Sequence, residues 1–132
     1  MIALDTNVVV RAIVDDDAVQ VGQVRALLER SDLFVPMTVL LETEWVLRGL
    51  YGLTRGVVAQ ALERFCGLEQ VQVENVDQLE RALAAYREGA DFADVLHILQ
   101  CEGLGITQFA TFDNKLRKRL GELSEYVELI KP

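Results

Sequence analysis

The chain has 132 residues, 51% of them hydrophobic, and carries 13 Lys and Arg against 21 Asp and Glu, a formal net charge of -8. That length suits one compact domain, residues 1–132, with its own core, and no apolar run approaches the roughly 20 residues needed to span a bilayer. The charge argues against a protein that grips nucleic acid by bulk electrostatics, but not against one whose acids gather round a metal ion.

No basic stretch precedes the first apolar run, so no signal peptide is expected and the cytoplasm is the expected compartment. Cys66 and Cys101 stand in no metal-ligand spacing, each inside an apolar segment, and read as reduced core thiols. The opening Met1-Ile2-Ala3-Leu4-Asp5-Thr6-Asn7 reads as a short strand that stops at a carboxylate, a hydroxyl and an amide. A strand ending this way and turning into a helix delivers Asp5 to the carboxyl edge of a sheet, where open α/β sheets bind ligands.

A helix is predicted from residue 6 to about 14, with Asp15-Asp16-Asp17 as a solvated turn and cap rather than a metal cluster, because consecutive residues on a helix point apart. Val21, Val24, Leu27 and Leu28 keep helical spacing, which predicts a second helix over 17–30. Leu33-Phe34-Val35 is a second strand, ended by Pro36, and the apolar run from 37 to about 51 has helical length. Glu42 and Glu44 interrupt it. Glu42 has Val39, Trp45 and Val46 as helical neighbours and Glu44 has Leu40, Leu41 and Leu47, so spacing does not rank the two.

Thr54 is read as the cap of a helix carrying Val57, Val58, Ala61, Leu62 and Phe65, closed by Gly67. Val71-Gln72-Val73 is a third strand, and Asp77 is expected to cap a helix that ends at Gly89. The next helix, starting at Asp91 and Asp94, is apolar on nearly every side and is expected to be buried, which makes its His97 a packed, hydrogen-bonded residue before it is a ligand. Asp91 and Asp94, three apart, share one face. A fourth strand lies at 108–110, followed by Thr111-Phe112-Asp113-Asn114, a short basic helix from Lys115 to Leu120, and a last strand over 125–130. Short strands alternating with helices predict an α/β fold with a parallel sheet.

Each acid has an ordinary explanation. Asp5 and Asp113 can cap the helices after them, Asp91 and Asp94 can form a variant capping box, and Glu42 can pair with Arg48. Taken together they sit at strand ends and helix starts that converge at the edge of such a sheet. Converging carboxylates raise one another's pKa and call for cations. Hard oxygen donors suit Mg²⁺ or Mn²⁺ rather than zinc. Such a site lowers the pKa of a bound water and stabilises the leaving oxygen of a phosphodiester. Thr6, Asn7 and Thr111 would then orient carboxylates or waters.

These residues resemble PIN-domain proteins, and among them a VapC-type toxin of a toxin–antitoxin pair. The matching pieces are Ile2-Ala3-Leu4-Asp5-Thr6-Asn7, the segment from Val39 through Glu42 to Arg48, Asp91-Phe92-Ala93-Asp94-Val95-Leu96, and Thr111-Phe112-Asp113. The resemblance implies a five-stranded parallel sheet, order 3-2-1-4-5, flanked by helices, with Asp5 and Asp113 facing across the point where strand order reverses. It implies Asp5, Glu42, Asp94 and Asp113 as the catalytic, metal-binding acids, with Asp91 auxiliary. It further implies Mg²⁺-dependent (or Mn²⁺-dependent) RNA cleavage, a cognate antitoxin and a homodimer. Basic surface for RNA is thin, and Arg11, Arg48, Lys115 and Arg117 are the best candidates.

Three other readings compete, of which a haloacid-dehalogenase-type phosphatase would want a second Asp two residues after Asp5, where Asn7 stands. A phospho-accepting receiver domain shares the size and an acidic site, but it needs an acceptor Asp after the third strand, where Val73-Glu74-Asn75 stands. A non-catalytic PIN-fold interaction module would have less reason to keep all four acids.

Overall fold

Two parallel ladders organise the chain in its computed structural model, which describes residues 1–131. Strand β1 (Ile2–Ala3) pairs with β2 (Leu33–Val35), and β2 pairs with β3 (Val71–Val73), giving the order β1-β2-β3 with β2 in the middle. Separately, β4 (Phe109–Thr111) pairs in parallel with β5 (Val127–Leu129). The chain divides into two compact units, Met1–Asn75 and the residues from Val76 onward.

In the first unit each crossover between strands is a pair of helices, as parallel pairing requires. Helices α1 (Thr6–Ile13) and α2 (Ala18–Arg30) join β1 to β2, and α3 (Met37–Gly49) and α4 (Arg55–Cys66) join β2 to β3. Local chemistry sets their starts. Asp5 accepts from the Asn7 N–H, Asp17 from those of Val19 and Gln20, and Thr54 from that of Val57. Helix α3 follows Pro36, which has no side-chain cap to offer; instead the Glu74 carboxylate, just past β3, accepts the Met37 N–H at 2.7 Å. The core of this unit is Val9, Val10, Leu33, Val35, Leu40, Leu47, Val58 and Leu62, all buried.

The second unit holds α5 (Val76–Arg87), α6 (Phe92–Gly103), α7 (Asn114–Arg119) and a 3₁₀ segment (Gly121–Tyr126) around β4 and β5. Tyr86 and Phe92 meet edge to face with centroids 5.4 Å apart, locking α5 to the start of α6. Gly89, at φ 110°, makes the turn between them in a backbone conformation other residues avoid.

The α/β class and the parallel pairing are as expected. The single sheet of order 3-2-1-4-5 is not: the strands form a sheet of three and a sheet of two. The physical reason lies in β1. With two residues it has few ladder groups to offer, and its neighbouring N–H groups, of Ile2 and Leu4, both go to carbonyls on the β2 side, Asp32 and Phe34. Asp77 is also not a cap; it lies inside the first turn of α5. Among the described residues no helix is long and apolar enough to cross a membrane.

Candidate functional site

In the first unit, the turn from β1 into α1 fixes Asp5 and Thr6. Asp5 is exposed and its Oδ1 accepts the Asn7 N–H at 3.2 Å. Thr6 is buried, and its hydroxyl donates a short hydrogen bond to Glu42 Oε1, 36 positions along the chain. This contact carries Glu42 of α3 to the start of α1. Asn7 presents an exposed side chain.

The two glutamates of α3 part company here. The inward stripe of the helix is Met37, Leu40, Thr43, Glu44 and Leu47. Glu44 is therefore the buried one, at 3% exposure, and Arg48 Nε binds its Oε2 at 2.7 Å. Glu42 lies off that stripe and is exposed, and its neighbour Trp45 is 59% exposed. The apolar neighbours of Glu42 in the sequence thus do not bury it, and Arg48 belongs to Glu44, not to Glu42.

In the second unit, Asp91 caps α6: its Oδ2 accepts the Asp94 N–H at 3.1 Å, one half of the expected capping box. Burial pushes the Asp94 carboxyl above its ordinary range, and the charges of Asp91 and Asp113 push it further, while His97 pulls it partly back. Asp113 caps α7 through the Lys115 N–H at 2.8 Å, and the Thr111 hydroxyl accepts the Asp113 N–H at 3.0 Å. Thr111 thereby sets the backbone from which Asp113 projects. His97 is exposed rather than packed inside, and its ring stacks on Phe109 at a centroid distance of 6.3 Å. Helix α6 buries Phe92, Val95, Leu96, Ile98 and Leu99 but turns His97 and Gln100 outward.

Among the described residues, no ion pair engages Asp5, Glu42, Asp91, Asp94 or Asp113. Asp16, Glu44 and Glu102 each hold an arginine. Arg11 and Arg48 are thus already committed: Arg11 to Asp16 and the Tyr51 hydroxyl, Arg48 to Glu44. Lys115 and Arg117 are exposed, with no ion pair among the described residues. Among those residues, no group of three or more His, Cys, Asp or Glu side chains is arranged to hold a metal ion. Asp5, Glu42, Asp91, Asp94 and Asp113 each offer oxygen, the kind of ligand a hard cation takes. Cys66 and Cys101 are free and half-buried, and burial pushes the Cys66 thiol up to about 12.

Sequence reasoning overlooked the structural carboxylates. Glu74 serves the start of α3, and Glu102 pairs with Arg81 and accepts a hydrogen bond from Tyr126, which together hold its carboxyl down to about 2. Only the lack of a side-chain cap at Pro36 hinted at the first.

The chain matches the family model of the PIN domain over residues 2–120, a stretch that runs through both units. No curated protein and no solved structure matches it. PIN domains are in general nuclease domains, and they typically use divalent metals.

Proposed function

Because this chain belongs to the PIN-domain family, we propose that it is a Mg²⁺-dependent (or Mn²⁺-dependent) endoribonuclease, the toxin of a type II toxin–antitoxin pair. The observation that carries the reading is the state of Asp94: partly buried, crowded by Asp91 and Asp113, and given no arginine. Asp16, Glu44 and Glu102 each hold an arginine, and Asp94 has none among the described residues.

In this reading both units form one PIN domain, 1–132, and Asp5, Glu42, Asp94 and Asp113 are the metal-holding, catalytic acids, with Asp91 auxiliary. A divalent cation bound there supplies the acidity that lets water attack a phosphodiester. The chain's own residues do the positioning. Thr6 fixes the Glu42 carboxylate, Thr111 fixes the backbone at Asp113, and the α6 cap fixes the Asp91 carboxylate. Asn7 is read as a group that orients water or substrate. Lys115 and Arg117 are the basic residues best able to meet RNA phosphates. Arg11 and Arg48 serve RNA only by sharing donors with their present partners. The reading extends to the cytoplasm, to a homodimer and to a cognate antitoxin that blocks the site. Trp45 and Leu50, apolar and exposed on and just beyond α3, offer surface for such partners.

At Asp5, replacement by Asn decides between a cap and a metal ligand, because Asn caps about as well as Asp while losing the charge; at Asp94, whose N–H is capped by Asp91, it removes the charge alone. Asp5→Asn and Asp94→Asn are expected to cut Mg²⁺-dependent RNA cleavage by on the order of 10²–10³-fold, with unchanged circular dichroism. Chelation by EDTA is expected to silence the parent. Equal cleavage by parent and variants would sink the assignment.

A further inference from the structure

Helices α1 and α2 enclose a groove of about 280 Å³ that none of the acids lines. Gln20, Gln23, Val24 and Leu27 form one stripe of α2 at the spacing of a single helix face, and Asn7, Val8 and Arg11 line the groove from α1. A stripe that only packed one helix on another would be apolar along its length; this one opens with two exposed glutamines before Val24 and Leu27. Among the described residues no hydrogen bond engages the side-chain amides of Asn7, Gln20 or Gln23. Val24 is buried and Val8 and Leu27 are half-buried, so the apolar part of the groove is sheltered. Arg11 is held by Asp16 and the Tyr51 hydroxyl.

We propose that this groove is a nucleobase pocket that receives a base of the RNA beside the cleaved bond. The inference rests on the nuclease reading and names how that site selects its substrate. Asn7, Gln20 and Gln23 are exposed, so their amides can exchange water for the edge of an unstacked base whose face lies on the apolar surface beside them, and Asn and Gln side chains read base edges by paired hydrogen bonds. A guanidinium held in place, as that of Arg11 is, adds a plane on which a base can stack. None of the residues lining the groove is acidic, and the carboxylates at its rim, Asp16 and Asp5, are engaged by Arg11 and by the Asn7 N–H. It also adjoins a proposed catalytic acid: Asn7 lines it with its side chain's residue while its N–H binds Asp5.

The test has two arms on the full chain. In the first, side-chain amide resonances are followed by NMR, without metal, as AMP, GMP, CMP, UMP or ribose 5-phosphate is added. The Asn7, Gln20 and Gln23 signals are expected to move with at least one nucleotide and to stay still with ribose 5-phosphate. Silence toward all four nucleotides, or equal shifts with the base-free sugar phosphate, overturns the pocket and leaves the groove as a protein-docking surface. In the second, cleavage ends are sequenced for the parent and for the Gln20→Ala, Gln23→Ala double variant, whose alanines favour the helix. The variant is expected to lose about tenfold of its base preference beside the cut. Cleavage by the variant with unaltered preference overturns the proposal. A parent that cuts no RNA defeats the nuclease reading instead, and the titration then still decides the groove.

Discussion

The two sets of acids are held in different ways. In the first unit, the carboxylates of Asp5 and Glu42 are each steadied by one donor, the Asn7 N–H and the Thr6 hydroxyl. In the second, Asp94 is surrounded by what opposes its charge: burial, Asp91 and Asp113, with His97 alone acting the other way. The first arrangement places an anion; the second leaves one in need of a cation. Under the proposed reading a metal site needs both properties, positioned ligands and an unmet negative charge.

The sharpest way to break that contrast is to remove one charge from each set. Glu42→Gln and Asp94→Asn are both expected to lose on the order of 10²–10³-fold in Mg²⁺-dependent cleavage; a loss confined to one of them would mean that only one set takes part. A smaller effect is expected where positioning alone is removed. Thr6→Val keeps the buried shape and deletes the hydroxyl that holds Glu42, and cleavage should fall by about 10–100-fold with the thermal midpoint nearly unchanged. If cleavage is untouched, the Thr6–Glu42 contact does no positioning.

Stability separates the two glutamates of α3. Arg48→Ala leaves the buried Glu44 carboxylate without its arginine and is expected to destabilise the fold by about 1–3 kcal/mol, measured by denaturant unfolding. Glu42→Gln is expected to be neutral in the same assay.

The smallest effect concerns pH. The folded-state pKa of Asp94 lies above the unfolded value of 3.8, so its ionised form opposes folding at neutral pH, and that penalty fades as pH falls through the raised pKa toward 3.8. Without metal, Asp94→Asn should therefore melt slightly above the parent at pH 7, with the gap closing in acid. Excess Mg²⁺ should reverse the order, because it stabilises only the chain that binds it. A variant that melts below the parent at pH 7 without metal would refute the account of Asp94.

Much of this was legible in the chain. The α/β alternation and the caps at Asp5, Asp17, Thr54, Asp91 and Asp113 follow from residue types a few positions apart, because capping and periodicity are local, and the PIN family was legible through the resemblance of whole segments. The order of strands was not, since which strands share a ladder depends on how many backbone groups β1 has left to offer. Nor were the distinct fates of Glu42 and Glu44, the outward turn of His97, or the commitment of Arg11 and Arg48. Each of those depends on which helix face the rest of the unit covers, and on partners as remote as Thr6 is from Glu42. Sequence determined what kinds of groups stand where along the chain; only tertiary packing decided which of them keep a charge without a counter-ion.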